Sequence, residues 1–223
     1  VADVVPLDAN NRILTWQGLS RIRAGKCRPG IKVLLEISNR DPLKLAASDL
    51  GFALGPRLNA AGRLDDMSVG VALLLCDNIG EARMLANELD ALNQTRKEIE
   101  QGMQAEALAL CEKLERSSDT LPGGLAMYHP EWHQGVVGIL ASRIKERFHR
   151  PVIAFAPAGD GTLKGSGRSI QGLHMRDVLE RLDTLYPGMI IKFGGHAMAA
   201  GLSLEEAQFE HFQQRFGELV TEW

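Results

Sequence analysis

Four short segments of this 223-residue chain concentrate arginine, histidine, serine and asparagine beside glycine. Arginine and serine side chains donate hydrogen bonds to phosphate oxygens, and glycine lets backbone N–H groups approach the same anion. These residue types therefore predict phosphate binding. The segments are RLNAAGR at 57–63, HPEWHQGVVG at 129–138, GSGRS at 165–169 and FGGHAMAAG at 193–201.

In the first segment, Arg57 and Arg63 flank Asn59 and a glycine. Guanidinium and amide groups both donate to phosphodiester oxygens, so the set suits a nucleic-acid strand. The competing interpretation pairs the two arginines with Asp65, Asp66 and other nearby carboxylates. The local sequence leaves both interpretations open.

Glycine and proline also recur around this first segment, between positions 48 and 66. Because both residues interrupt helices, we expect an ordered, turn-rich segment there and no long helix.

The second segment carries His129 and His133, which Pro130 separates. Proline disfavours the helix that would aim both rings at one metal, and the pattern is not H-E-x-x-H, which argues against a metal site. A helix that begins after such a loop presents unpaired N–H groups to an anion. Trp132 either packs or stacks on a base, and packing is the commoner use of tryptophan.

In the third segment, Ser166 and Arg168 project from the same face if the chain is extended. They could then grip one terminal phosphate together, although a flexible glycine hairpin with an exposed arginine has the same sequence pattern. In the fourth segment, His196 follows Gly194 and Gly195. A lone histidine is more often structural than catalytic, so this segment alone indicates little.

The overall composition excludes several classes of protein. With 45% hydrophobic and 24% charged residues, the chain fits one large or two small globular domains. Its three cysteines form no C-x-x-C pair, so we expect no disulfide framework or zinc ribbon, and a cytoplasmic location. The longest strongly apolar stretch, at 67–76, is about half the ~20 residues that a membrane-spanning helix needs, so no membrane partner is expected.

The net charge is -3, but basic and acidic residues are segregated along the chain. The net charge therefore does not exclude a polyanionic partner. Six basic residues and no acid occur between Arg12 and Lys32, and a second basic excess runs from Arg143 to Arg168. No Walker A loop, dinucleotide fingerprint or G-x-S-x-G elbow occurs. The motifs therefore indicate phosphate binding more clearly than they indicate catalysis.

The hydrophobic pattern predicts the elements that must position these motifs. Apolar residues at three- and four-residue steps between 85 and 114 predict one helix about 35 residues and ~50 Å long, which we interpret as a connection between two lobes. Beyond it, short strands alternate with helices, which predicts an α/β lobe with a mixed sheet. The predicted strands are 125–128, 151–157, 163–169, 189–193 and 200–204, and the predicted helices are 136–148, 174–185 and 205–223. The last helix is expected to open on a capping box, Ser203-Leu204-Glu205-Glu206.

Taken in order, the motifs resemble the single-strand-specific exonucleases of the DHH/DHHA1 phosphoesterase superfamily. The resemblance rests on VADVVPL, GPRLNAAGRL, LNQTRKEIE, HPEWHQGVVGILASR, GSGRS and GGHAMAAGL, which together span nearly the whole chain. It implies an α/β fold in three parts: the C-terminal part of a DHH lobe (1–79), a long connecting helix (80–117) and a substrate-binding DHHA1 lobe whose mixed sheet is flanked by helices (118–223). A nucleic-acid channel is expected between the lobes.

The same resemblance implies roles for individual residues. Asp3 matches the last metal-binding aspartate of the DHH lobe, and the other ligands of an Mn²⁺ or Mg²⁺ site would precede Val1. One aspartate cannot assemble a site that activates water, so we expect a piece of a longer enzyme that is inactive alone. Ser166 and Arg168 would hold the 5′-terminal phosphate, and His196 is placed with Asp3 among the catalytic groups. The other implied nucleic-acid contacts are Arg57, Asn59, Arg63, His133, Gly194 and Gly195.

The activity that the resemblance implies for the parent protein is 5′→3′ hydrolysis of single-stranded DNA to 5′-mononucleotides in recombination and repair. Expected partners are single-stranded DNA with a 5′ end and repair proteins such as single-strand-binding protein or a helicase. Two alternatives stay open: a non-catalytic module that binds single strands, and a related DHH phosphodiesterase acting on short RNA or cyclic dinucleotides. A domain used only for protein contacts would lack salt-sensitive DNA binding.

Overall fold

A computed structural model of the chain describes residues 5–117 and 121–222. The chain divides into two compact units, Val1–Lys97 and Glu98–Trp223. The boundary between the units lies inside a long helix, Ile79–Ser117. The division into 1–79, 80–117 and 118–223 stays a prediction.

In the part of the first unit that the structure describes, all regular elements are helical. They are α1 (Ala9–Arg23), α2 (Pro29–Ile37), a 3₁₀ turn (Pro42–Lys44), α3 (Ala47–Asp49), a π-helical turn (Leu50–Leu54), α4 (Gly55–Leu64), α5 (Ser68–Leu75) and the first part of α6 (Ile79–Ser117). Val33, Leu34 and Leu35 of α2 are fully buried in the core of this unit, together with Leu89 of α6. Helix α2 begins with Pro29, a position where the missing N–H costs no helical hydrogen bond.

The chain between 47 and 64 is helical, so the prediction of a turn-rich segment there was wrong. Pro56 lies in the first turn of α4, where proline needs no intrahelical donor, and Gly51 lies in the π-helical turn. The segment that contains Arg57 and Arg63 is therefore a helix, and not a glycine-rich loop.

The long helix predicted from the hydrophobic periodicity is present. Helix α6 contains 39 residues, which at 1.5 Å per residue gives about 58 Å. Its residues contribute to both units, since Ala86 and Leu89 are buried before the boundary and Met103 and Ala107 are buried after it.

The second unit contains the five-stranded mixed sheet that was predicted. The strands are β1 (Leu125–Tyr128), β2 (Val152–Gly159), β3 (Thr162–Arg168), β4 (Lys192–Gly195) and β5 (Ala199–Glu205), in the order β1-β2-β3-β5-β4. Only the β1–β2 pair is parallel, and the other pairs are antiparallel. The helices of this lobe are α7 (Val137–Phe148), α8 (Met175–Leu185) and α9 (Phe209–Thr221). The α/β fold class is therefore confirmed.

Helices α8 and α9 pack on one face of this sheet, and α7 packs on the other. Residues of α8 and α9 form one core with Ile153, Phe155 and Leu202 from the strands. Helix α7 packs on β2 and β3, on the face that carries Ala154 and Ser166. Ser166 of the third sequence motif therefore lies on the face of the sheet that α7 covers.

Two predicted starting positions were wrong by three residues or more. Strand β4 begins at Lys192, because Met189 and Ile190 turn into the core before the ladder starts. The predicted capping box does not open the last helix: Ser203 and Glu205 belong to β5, and α9 begins only at Phe209 after a 3₁₀ turn.

In the described ranges, no helix is both long enough and apolar enough to pass through a lipid bilayer.

Candidate functional site

Strand β3 brings Ser166 and Arg168 together on one face of the sheet. Leu163, Gly165 and Gly167 alternate with them and are buried on the other face. The Arg168 Nη1 group donates to Ser166 Oγ at 2.9 Å and to the Gly167 carbonyl at 2.8 Å. The same-face arrangement expected from an extended chain is thus present, and the guanidinium is held beside the hydroxyl.

The first turn of α7 faces this pair. A Cβ built on Gly138 would lie 2.8 Å from Arg168 Nη2 and 3.0 Å from Ser166 Oγ, so a side chain at this position would displace the arginine. The amides of Val137 and Ile139 in this turn donate to the carbonyls of His133 and Val136, and the start of the helix carries partial positive charge. A hydroxyl, a guanidinium and the positive end of a helix therefore meet at one point, which is a suitable environment for a phosphate.

The loop before α7 is organised by His133. Its Nδ1 accepts from the Gly135 amide at 3.1 Å, and its carbonyl accepts from Val136 and Val137. His133 thereby fixes the start of the helix whose Gly138 contacts Arg168.

Trp132, in the same segment, is a packing residue. Only 3% of its surface is exposed, and its indole Nε1 donates to Glu106 Oε2 at 2.8 Å. The ring is therefore not exposed for stacking on a base, and of the two interpretations left open by the sequence, packing describes it.

The fourth motif forms the hairpin between β4 and β5, at the end of the sheet where β3 ends. Arg168 lies opposite Ala199, and the His196 amide donates to the Ala199 carbonyl at 2.8 Å. Gly195 has φ +147, and a Cβ there would collide with Ala199, so only glycine fits. The hairpin is tied to the residue after β3 by the Ser169 amide, which donates to Met198. The imidazole of His196 is exposed at this hairpin.

A cavity of about 310 Å³ opens beside Ser166 on this face. Val137 and Gln134 line it on the α7 side, and Gly194 and Gly201 line it on the sheet. Of the residues predicted for the site, Ser166 and Gly194 line this cavity, and Arg168 is hydrogen-bonded to Ser166. Gly195 and His196 follow Gly194 in the hairpin, and their contact with a ligand stays a prediction.

The first unit places its three predicted residues differently from one another. Asn59 and Arg63 are both exposed and lie four residues apart on α4, so they share a face. Arg57 is turned toward α6: its Nε contacts Asp90 Oδ1 at 2.7 Å and its Nη1 donates to the Ala53 carbonyl at 2.8 Å. Its carboxylate partner is thus Asp90, and not Asp65 or Asp66.

The Arg57 side chain is only 15% exposed, so its immediate role is to tie α4 to α6. Contact of Arg57, Asn59 and Arg63 with a nucleic-acid strand stays a prediction, as does their convergence with the residues of the second unit.

The described residues do not supply the metal site that the family resemblance implies. Asp3 lies outside the described residues. Over 5–117 and 121–222, no group of three or more His, Cys, Asp or Glu side chains is placed to hold a metal ion. The described residues therefore do not by themselves make up an Mn²⁺ or Mg²⁺ site.

Sequence reasoning missed one residue of the site, Gly138. Gly138 is the second residue of α7, and glycine has a lower helix propensity than residues with a side chain other than proline. A glycine at this position was the one sign in the sequence that another side chain packs closely against the start of the helix.

Comparison with known proteins matches residues 122–222 to the DHHA1 domain. The chain is 93% identical over its whole length to the single-stranded-DNA-specific exonuclease RecJ of Salmonella typhimurium, of which it spans 39%. It also matches the crystal structure of RecJ from Thermus thermophilus in complex with Mg²⁺, with 34% identity, a TM-score of 0.84, and coverage of all of this chain and 33% of that one. The structure of the same protein in complex with Mn²⁺ matches with the same identity and TM-score, over all of this chain and 31% of that one.

Proposed function

We propose that the chain is part of a RecJ-family protein and that this protein hydrolyses single-stranded DNA from the 5′ end, releasing 5′-mononucleotides. The proposal extends to the role of the second unit, which holds the 5′-terminal phosphate. Recombination and repair are the processes in which such an activity would serve.

One observation carries this role: Arg168 Nη1 lies 2.9 Å from Ser166 Oγ, facing Gly138 at the start of α7. A terminal phosphate monoester carries more negative charge than an internal phosphodiester and offers three oxygens. Three kinds of donor aimed at one point match that group better than they match a single phosphodiester oxygen. Holding the terminal phosphate at a fixed place would set both the polarity of digestion and the length of the product.

Divalent metal dependence is part of the same proposal. The RecJ structures from Thermus thermophilus are complexes with Mg²⁺ or Mn²⁺. When bound, such an ion would stabilise the charge that develops on the phosphoryl group and lower the pKa of an attacking water. Its ligands would include Asp3 together with residues outside this chain, and the described residues contribute phosphate binding.

For the chain by itself, the proposed activity is binding of single strands without hydrolysis. This proposal rests on Asp3, the single metal ligand that the family resemblance assigns to this chain. The proposed compartment is the cytoplasm, and the proposed protein partners are a single-strand-binding protein or a helicase. Short RNA and cyclic dinucleotides are the related substrates with which single-stranded DNA is compared.

The experiment uses the full-length protein with Mn²⁺ and single-stranded DNA that carries either a 5′-phosphate or a 5′-hydroxyl. We expect mononucleotide release from the 5′ end and faster digestion of the phosphorylated strand. In Arg168→Ala the preference for 5′-phosphate should fall about 10- to 100-fold, since charge-assisted hydrogen bonds contribute about 1.5–3 kcal/mol.

Arg181→Gln on α8 removes one exposed positive charge from the opposite layer and is the matched control. An unchanged preference in Arg168→Ala would overturn the phosphate assignment. Equal or faster turnover of short RNA or cyclic dinucleotides by the unchanged protein would overturn the substrate assignment.

A further inference from the structure

The cavity beside Ser166 contains two lysines that none of the sequence motifs includes. Lys164 of β3 and Lys192 of β4 both line it, together with Ser203 of β5, which lies between those strands. The cavity is about 310 Å³, near the lower limit for small-molecule sites.

Strand register fixes how these lysines relate to one another. Lys164 lies opposite Ser203 on one side of β5, and Lys192 lies opposite Ser203 on the other side. Directly opposed residues of antiparallel strands point to the same face. The two lysines are therefore separated by two strand spacings, roughly 10 Å between Cα atoms, which their long side chains can bridge.

The same register places this lysine row next to the terminal-phosphate site. Ser166 is two residues beyond Lys164 on β3, and its row continues through Gly201 to Gly194. Residues two apart on a strand share a face and are about 6.5 Å apart. The lysine row and the Ser166 row thus lie side by side on one surface.

Both lysines are exposed, and among the residues that the structure describes neither forms an ion pair. The acid closest in register is Glu205, which lies opposite Thr162 and does not line the cavity. Two ammonium groups that flank one serine repel each other, and an anion between them would relieve that repulsion.

The sheet under the lysines leaves room for such an anion. A Cβ on Gly194 would meet nothing within 4 Å, and one on Gly201 would meet only the Gly165 carbonyl at 3.9 Å. Neither glycine has a positive φ. Packing and backbone conformation therefore do not require glycine at these two positions, and the space above them is open to a ligand.

We propose that Lys164 and Lys192 bind a second phosphate of the single strand whose terminal phosphate is held by Ser166 and Arg168. The inference rests on the proposed function of that pair. The ammonium of lysine is a compact charge with three rotatable donors, which suits a phosphodiester held without a fixed angle, while the planar arginine fork suits the terminal group.

The test compares two ligands that differ by one phosphate. A 5′-phosphorylated mononucleotide has only the terminal group, and a 5′-phosphorylated dinucleotide adds one phosphodiester. Binding of each is measured to the full-length protein in EDTA, which removes divalent metal and prevents hydrolysis. The variants are Lys164→Gln/Lys192→Gln, Arg168→Ala and the control Arg181→Gln.

For the double lysine variant we expect a loss of about 5- to 30-fold for the dinucleotide and less than about twofold for the mononucleotide. On a longer strand, the slope of log K against log salt should fall by about 0.7, the value of one phosphate contact. Arg181→Gln should change the affinity for either ligand by no more than about twofold. Equal losses for both ligands, no loss for either, or no dinucleotide binding by the unchanged protein would overturn the proposal.

Arg168→Ala separates this proposal from the one on which it rests. It should weaken the binding of both ligands, because both carry the terminal phosphate. Suppose instead that Arg168→Ala binds both ligands normally, while the double lysine variant still loses affinity for the dinucleotide only. The terminal-phosphate assignment then fails and the lysine contact stands. A second variant, Gly201→Ala, adds a methyl group to the open surface; it should weaken dinucleotide binding by about fivefold or more with an unchanged thermal midpoint, and unchanged binding would count against the site.

Discussion

Gly138 and Arg168 are in such close contact that a single Cβ on the glycine would lie 2.8 Å from the guanidinium Nη2. The contact joins the first turn of α7 to the last residue of β3. It makes the absence of a side chain at Gly138 a condition for the position of the arginine.

Gly138→Ala should therefore impair phosphate binding and leave stability nearly unchanged. The atom that must move is the far end of a flexible side chain, so the fold can adapt while the guanidinium leaves Ser166. We expect a loss of about 10-fold or more in affinity for 5′-phosphorylated strands. Gly102→Ala on α6, where a Cβ meets nothing within 4 Å, is the control and should bind as well as the unchanged protein. A Gly138→Ala protein with full affinity would contradict this view of the site.

Asp90→Ala should lower the free energy of unfolding by about 1–2 kcal/mol, because it leaves a largely buried guanidinium without its carboxylate. The Arg57 side chain is 15% exposed in this pair. The Arg28–Asp77 pair offers a comparison, since its side chains are 52% and 86% exposed, and Asp77→Ala should cost less than about 0.5 kcal/mol. Urea unfolding of the two variants measures the difference. Equal costs would show that Arg57 does not depend on Asp90.

Gly165→Ala should destabilise the sheet, in contrast to Gly194→Ala. A Cβ on Gly165 would lie 2.5 Å from the Phe155 ring and 2.7 Å from Leu202, whereas one on Gly194 meets nothing within 4 Å. Overpacking of this kind costs about 1–3 kcal/mol. Thermal unfolding should show a lower midpoint for the first variant and an unchanged or higher one for the second. The reverse order would mean that the two glycines face the opposite sides of the sheet from those described.

Stability at high pH should depend on Tyr128. Burial, followed by the hydrogen bond that the hydroxyl donates to Glu206 at 2.8 Å, raises the pKa of this tyrosine from 10.0 to about 12. The folded state holds the phenolic proton more tightly than the unfolded state does. The resulting stability is fully present below pH 10 and is lost as the pH rises through about 12.

Tyr128→Phe, which keeps the ring beside Phe209, is the matched variant. The difference in unfolding free energy between the two proteins should shrink between pH 9 and pH 12. A difference that is constant over this range would argue against the raised pKa.

Much of the second unit could be predicted from the sequence because its signals are local. The strand predicted at 125–128 matches β1, and those at 151–157, 163–169 and 200–204 each overlap β2, β3 or β5, since short apolar runs bounded by glycine or proline determine them. The helix 79–117 was equally visible from its repeat of apolar residues.

The errors arose where glycine and proline occupy positions that a helix tolerates. Pro56 in the first turn of α4 and Gly51 in the π-helical turn both suggested loops, yet neither breaks the helical path. Ser203 has the sequence context of a helix cap because acidic residues follow it. In the structure it lies in β5, where it pairs with Lys164 on one side and Lys192 on the other.

The contacts of the site could not be predicted because they join residues far apart in sequence. Arg57 could be expected to choose Asp65 or Asp66, which are close by, and it pairs with Asp90, 33 residues away. Gly138 meets Arg168 only because α7 packs on β3. A sequence pattern names candidate side chains, while tertiary packing decides which of them meet.

Strand β4 has a further consequence, which concerns solubility. It is the outermost strand beside β5 and is only four residues long. A brief outer strand with a charged lysine and two glycines offers a poor template on which another polypeptide could extend the sheet. The residues that keep the cavity open thus also protect the molecule against edge-to-edge self-association.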